Sequence, residues 1–139
     1  MSKAEKVKSQ KIVNDSCSLV WQKLIDFGGT EKFVPELIEK VITEGNGTGA
    51  TRTIHLKGGG EILEKLIFID EAVMTMKFII LSTPMPVQNY EGIHTVTHLN
   101  TDQCSVTFES SYEATEDVKA EMETLIKGFQ ETFLSNLYK

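Results

Sequence analysis

Basic residues are scarce in this 139-residue chain: 14 Lys and Arg stand against 20 Asp and Glu, for a net charge of -6 and a pI near 5.1. Nucleic-acid binding normally needs a basic face. No Lys/Arg stripe is present, which argues against nucleic acid and against anionic membrane surfaces. There are only two cysteines, Cys17 and Cys104, with no CxxC pair. Reduced core thiols are the expectation. Long apolar runs are absent too. The longest, Phe78-Ile79-Ile80-Leu81, is strand-sized and far short of the roughly 18 residues of a membrane span. The opening MSKAEKVKSQ lacks the apolar stretch of a secretory signal. A cytoplasmic protein with no membrane span is expected.

There is no internal repeat, low-complexity tract or linker. With 40% hydrophobic and 24% charged residues, the composition is that of one globular domain over 1–139. Residues about 4–14 alternate as a first strand. Asp15 or Ser16 can cap a helix that runs to about Phe27, with Cys17, Val20, Trp21 and Leu24 on one face. Gly28-Gly29 supplies a left-handed helix stop, and Phe33-Val34-Pro35 follows as a short turn, completing a short helical pair. Turn signals at Gly45-Asn46-Gly47, Gly58-Gly59-Gly60, Asp70-Glu71, Pro84-Met85-Pro86 and Asn100-Thr101-Asp102 then bound strands near 37–44, 50–57, 61–69, 73–83, 87–99 and 103–114. Short turns make successive strands antiparallel. The segment 116–138, with Thr115 as its cap, carries Val118, Met122, Leu125, Ile126, Phe129, Phe133 and Leu137 at helical period. It would be ~33 Å long at about 1.5 Å per residue. Such a stripe needs an apolar surface of matching length, and the sheet is the one available. The expected class is α+β: about seven antiparallel strands curved around a long carboxy-terminal helix.

Strand parity decides the lining. Met74, Met76, Phe78 and Ile80 share an inner face, as do Cys104, Val106, Phe108, Ser110 and Tyr112. A three-residue turn at 100–102 sets His94 opposite Phe108 and Tyr90 opposite Tyr112, with Gly92 and Val96 on the same face. A three-residue turn at 58–60 pairs Lys57 with Glu61. Arg52, Ile54 and Leu56 then face inward with Ile62, Glu64, Leu66 and Phe68, and Arg52 is diagonal to Glu64. A one-residue slip would reverse either set. The inner surface is apolar, with Arg52, Glu64, Tyr90, His94 and Tyr112 set into it. Ligand cavities have this character.

Sharper motifs weaken on inspection. Gly45-Asn46-Gly47-Thr48-Gly49-Ala50 matches G-x-G-x-x-A, but Thr51–Leu56 after it alternates like a strand, so a hairpin turn is the reading. On a strand His94 and His98 lie ~13 Å apart at about 3.3 Å per residue, too far for a metal pair. No HExxH, Cys cluster or G-x-S-x-G elbow is present, and neither metal nor cofactor is expected. Arg52 and Glu64 are either a structural ion pair, or an anion holder and a base. Tyr90 and Tyr112 are core tyrosines or ligand handles. His94 is a neutral core histidine, or a proton-transfer group if it faces the cavity. Gly128, inside the last helix, leaves room for a close strand or for ligand.

The ordered set of motifs resembles the polyketide cyclase/dehydrase-like (SRPBCC) branch of the START and birch-pollen-allergen superfamily. Val20-Trp21 and Leu24-Ile25-Asp26-Phe27 resemble its first-helix pattern, and Phe33-Val34-Pro35 the segment after it. Gly47–Arg52 resembles its glycine turn, Glu64 a recurrent acidic position, and Pro84–Gly92 its proline break followed by Asn-Tyr. Phe108 stands where relatives often carry tryptophan. The resemblance implies a helix-grip fold and a hydrophobic ligand such as a lipid, isoprenoid or aromatic polyketide. The expected ligand contacts are Arg52, Ile54, Glu64, Leu66, Met76, Phe78, Tyr90, His94, Phe108 and Tyr112 from the sheet, and Met122, Leu125, Phe129 and Phe133 from the helix. Three functions remain open. One is a binder of a hydrophobic small molecule. Another is a cyclase, dehydratase or isomerase with Glu64, Tyr90 or His94 as acid or base and Arg52 stabilising an enolate. The last is a co-chaperone-like interaction module. A monomer or weak homodimer is expected.

Overall fold

The computed structural model describes residues 4–137. Strand β1 (Ala4–Val13) is followed by helix α1 (Cys17–Ile25) and a single 3-10 turn at Thr30–Lys32. Six strands come next: β2 (Ile38–Glu44), β3 (Thr51–Leu56), β4 (Glu61–Asp70), β5 (Thr75–Ser82), β6 (Gln88–Asn100) and β7 (Gln103–Glu113). Helix α2 (Lys119–Asn136) closes the described chain. All seven strands form one antiparallel sheet in the order β1-β7-β6-β5-β4-β3-β2. Five β-bulges or register shifts interrupt the ladders. Bulges increase local twist, and the sheet curves around α2.

Each helix is placed by its apolar stripe. Ser16 caps α1 by accepting the Leu19 amide, and Cys17, Val20, Trp21 and Leu24 are buried beneath it. Met122, Ile126, Phe133 and Leu134 bury the inner face of α2. Each such side chain contributes roughly 1.5–3 kcal/mol. Directional bonds fix the two helices within the fold. Trp21 Nε1 donates to Glu71 Oε2 (2.9 Å) on the β4–β5 turn, and Lys23 Nζ donates to the Leu137 carbonyl (2.7 Å). Asn136 Nδ2 donates to the Phe33 carbonyl (2.7 Å), and the rings of Phe33 and Phe133 stack at 5.1 Å.

Several expectations are corrected in detail. Helix α1 stops at Asp26, and neither Gly28 nor Gly29 takes the left-handed conformation. Helix α2 begins at Lys119 with Val118 as its cap residue; Thr115 instead opens a preceding turn by accepting the Val118 amide. Its expected end at 138 lies outside the described residues. Met74 has φ 45° and belongs to the β4–β5 turn, so β5 starts at Thr75, two residues later than expected. The β3–β4 hairpin pairs His55 with Glu61 rather than Lys57, because three consecutive positive-φ glycines widen the loop. That is a slip of two, so the faces are preserved, and Arg52 lies directly opposite Glu64. At Phe68 the face itself changes. A shift between Leu66 and Phe68 inserts one extra residue in β4, which turns Phe68 outward (40% exposed) beneath the Lys77 ammonium and turns Ile69 toward the core.

Candidate functional site

Between the β3–β4 half of the sheet and α2 lies an apolar cavity of about 240 Å³. Ile54, Leu56, Ile62 and Ile80 wall it from the sheet, and Leu125, Ile126 and Phe129 from the helix. Its rim comes from loops: Leu37, Lys57, Gly58, Gly59 and Met85. Leu37 and Leu125 are 44% and 48% exposed. Glu64 and Tyr90 complete the wall. The same two residues and Phe129 also border a smaller inner chamber of about 30 Å³, shared with Arg52, Phe78, His94, Phe108, Ser110, Gln130 and Phe133. The two spaces are therefore neighbours separated by Glu64, Tyr90 and Phe129.

A wider, more polar groove of about 700 Å³ opens where β5 and β6 part beyond the Ile79–Glu91 pairing. It is open to solvent along Ile79–Thr83 and Val87–Glu91. It is more open and more polar than the cavity between sheet and α2. Ile80 and Tyr90 border both.

The arginine is engaged on every side. Arg52 Nε donates to Glu64 Oε1 and Nη2 pairs with the same oxygen, each at 2.6 Å. Nη1 donates to Thr30 Oγ1 (2.7 Å) and the Phe27 carbonyl (3.2 Å). The guanidinium lies 3.9 Å from the Phe27 ring centroid. It thus ties β3 to the chain after α1, and it borders the inner chamber but not the larger cavity. Glu64 differs: both Arg52 contacts fall on Oε1. Oε2 takes no hydrogen bond from the described residues.

Behind Tyr90 runs a buried polar chain. Ser9 Oγ donates to Gln130 Oε1 (2.8 Å), and Gln130 Nε2 donates to the Val7 carbonyl and to Ser110 Oγ (3.0 Å each). Ser110 Oγ is 2.6 Å from the Tyr90 hydroxyl. Burial pushes the Tyr90 pKa above the ordinary phenol range; the Ser110 bond opposes this in part, and the phenol stays neutral. His94 is held in an aromatic cage. It stacks on Phe108 at 3.8 Å and meets Phe78 and Phe133 edge-on at 5.1 and 5.9 Å. Its Nδ1 has no partner among the described residues. Burial, helped by the Arg52 charge, lowers its pKa to about 3, so it is neutral.

The expected contact residues divide accordingly. Ile54, Glu64, Tyr90, Leu125 and Phe129 border the cavity. Arg52, Phe78, His94, Phe108 and Phe133 meet Glu64, Tyr90 and Phe129 at the inner chamber. Leu66, Met76, Tyr112 and Met122 line neither space. Leu66 and Met76 are packed into the main core, where the sheet is filled by α1 and the end of α2. Tyr112 and Met122 belong to a second cluster with Val7 and Ile126. Burial, then the Glu123 charge, raises the Tyr112 pKa, and its hydroxyl has no partner among the described residues. Leu56, Ile62, Ile80 and Ile126 had inward or stripe parity but stood outside the expected contact set. The rim residues Leu37, Lys57, Gly58, Gly59 and Met85 carried no signal, because loop geometry brings them there. Gln130 had one: it falls in the apolar helical row between Ile126 and Phe133.

Both cysteines are buried free thiols, and burial, then Cys17, lifts Cys104 to about 11. Among the described residues no three His, Cys, Asp or Glu gather as a metal site, and no helix is long and apolar enough to cross a membrane.

The sequence profile of the family described as "Polyketide cyclase / dehydrase and lipid transport" matches residues 4–139. No curated relative matches the sequence. Among solved structures, norcoclaurine synthase from Thalictrum flavum in complex with dopamine and hydroxybenzaldehyde is similar at 18% identity and a TM-score of 0.82, over 99% of this chain and 86% of that one. The protein XoxI from Bacillus cereus is similar at 20% identity and a TM-score of 0.85, over 96% and 92%. A protein from Nitrosospira multiformis reaches 22% identity and a TM-score of 0.78, over 96% and 94%. At these identities the likeness is one of fold.

Proposed function

The chain belongs to the family of polyketide cyclases/dehydrases and lipid-transport proteins, and from that membership we propose that it binds a hydrophobic small molecule in the cavity between sheet and α2. The observation that carries this reading is an apolar space of about 240 Å³, with only Glu64 and Tyr90 as polar groups on its inner wall. An apolar space of about 150 Å³ is enough for benzene. This cavity therefore suits one substituted ring, two fused rings or a short isoprenoid. A long-chain lipid would have to protrude past the rim. That norcoclaurine synthase, of similar fold, is complexed with two small aromatic molecules supports the size class.

Native mass spectrometry of the purified protein, followed by solvent extraction, tests this. Retained apolar compound, or stabilisation by small aromatics, is expected. A protein that carries nothing and is stabilised by no apolar compound of this size overturns it. The same spectrum reports the subunit count, expected as monomer or weak dimer. We place the protein in the cytoplasm, which fractionation checks.

One observation favours an enzymatic second reading: a carboxylate and a neutral phenol, Glu64 and Tyr90, border the same cavity. Acid–base chemistry of the cyclase or isomerase kind would use that pair. His94 stands behind them, and the four polar contacts of Arg52 are spent within the fold. The reading requires turnover that disappears in both Glu64→Gln and Tyr90→Phe while ligand binding persists.

A further inference from the structure

We propose that the ligand of this cavity presents a neutral hydroxyl, phenolic or alcoholic, to Glu64 and Tyr90, and that carboxylates and ammonium ions are rejected. The inference rests on the binding function proposed above.

The argument is one of proton bookkeeping. Gln130 Nε2 donates to Ser110 Oγ, so Ser110 acts as an acceptor there. The only other described partner of the Ser110 hydroxyl is the Tyr90 hydroxyl at 2.6 Å. Were Tyr90 the donor in that contact, the buried Ser110 proton would have no acceptor, a costly arrangement. Ser110 therefore donates to the Tyr90 oxygen, and the Tyr90 proton is left for the cavity. Across the wall, Glu64 Oε1 is consumed by Arg52, and Oε2 remains an acceptor. The inner wall thus offers one donor and one acceptor. A hydroxyl group can satisfy both at once. A carboxylate can only accept and an ammonium can only donate.

Charge points the same way. Arg52 and Glu64 neutralise one another, and His94 is neutral. Either ionic ligand would leave an uncompensated charge in an apolar space. The one basic side chain on the wall, Lys57, is exposed at the rim.

Matched naphthalene probes test the inference: 2-naphthol, naphthalene, 2-naphthoate and 2-naphthylmethylammonium, titrated calorimetrically at neutral pH. The hydroxyl is expected to bind about tenfold tighter than the bare hydrocarbon, and each ion at least about tenfold weaker than the hydroxyl. In Tyr90→Phe the advantage of naphthol over naphthalene, both measured on that variant, should shrink several-fold. Glu64→Gln should relax the rejection of naphthoate; if that variant is unstable, Tyr90→Phe and the wild-type series still decide. If naphthalene binds but naphthol gains nothing, or naphthoate equals naphthol, the hydroxyl inference is wrong and the apolar cavity stands. If none of the four binds, both fall.

Discussion

Replacing Gly92 with alanine should be more harmful than its position in a strand suggests. Gly92 of β6 lies directly opposite Phe78 of β5. A Cβ built there would sit 2.3 Å from Phe78 Cζ and 2.7 Å from both Cε atoms. These distances are far inside van der Waals contact, so the ring must move. Phe78 is buried, edge-on to His94 at 5.1 Å and 5.1 Å from the Arg52 guanidinium. Displacing it therefore disturbs the cage and the ion pair together. Overpacking of this kind costs about 1–3 kcal/mol, against roughly 0.5–1 kcal/mol that Gly→Ala ordinarily returns in a strand. For a chain of this size the loss is about 4 °C in Tm per kcal/mol. Urea unfolding of Gly92→Ala, Phe78→Leu and the double variant isolates the contact. The alanine should cost at least about 1 kcal/mol less in the leucine background. If Gly92→Ala is as stable as wild type, or equally damaging in both backgrounds, the ring-over-glycine argument is refuted.

Arg52→Ala should cost about 3–5 kcal/mol in urea unfolding, because it leaves Glu64 buried and unpaired; Arg52→Met with Glu64→Leu should recover much of that loss. His94 has a folded pKa near 3, below its unfolded value of 6.5. The unfolded state therefore binds the extra proton between these values. The stability His94 supplies is complete above pH 6.5 and declines as pH falls, by up to about 1.4 kcal/mol per pH unit. Subtracting the pH profile of His94→Leu from that of the wild type should reveal this slope. Gln130→Leu would orphan the Ser9 hydroxyl and remove the Gln130 bonds to the Val7 carbonyl and Ser110, which keeps Tyr90, at a cost of about 1–3 kcal/mol for each group left without a partner or water, read in the same assay. Cys17 and Cys104 should resist a thiol reagent in the native protein and both react in denaturant, since burial disfavours the Cys104 thiolate.

What could be read in advance follows from periodicity. The seven strands, the antiparallel succession of β2 to β7 and the stripe of α2 come from turn signals and from spacings of two and 3.6; the pairing of β1 with β7 does not. The inner set Ile54, Glu64, Tyr90 and Phe129 follows from the same parity. Parity survived the two-residue slip at Gly58–Gly60, since an even shift moves no side chain to the other face. It failed at Phe68, where one inserted residue reverses the face and no residue type announces the bulge. The division of the inner surface into cavity and core was not legible. Met76 and Phe78 share a face, yet one is sealed in the core and the other reaches the inner chamber. That depends on how far each helix covers the sheet, a quantity of three dimensions. The rim from Leu37, Met85 and the β3–β4 loop is of the same kind.

The strand order also sets a sequence in time. Every ladder but one joins strands that follow each other along the chain; β1 alone pairs with a strand made near the end, matching Ala4 with Glu113. On the ribosome β1 emerges first and waits without its partner until β7 has been synthesised. Gln130 then arrives later still and bonds β1 and β7 together through Val7, Ser9 and Ser110. The cavity between sheet and α2 is thus completed only after all seven strands have been made, and the polar chain behind Tyr90 is also the clasp that fastens β1.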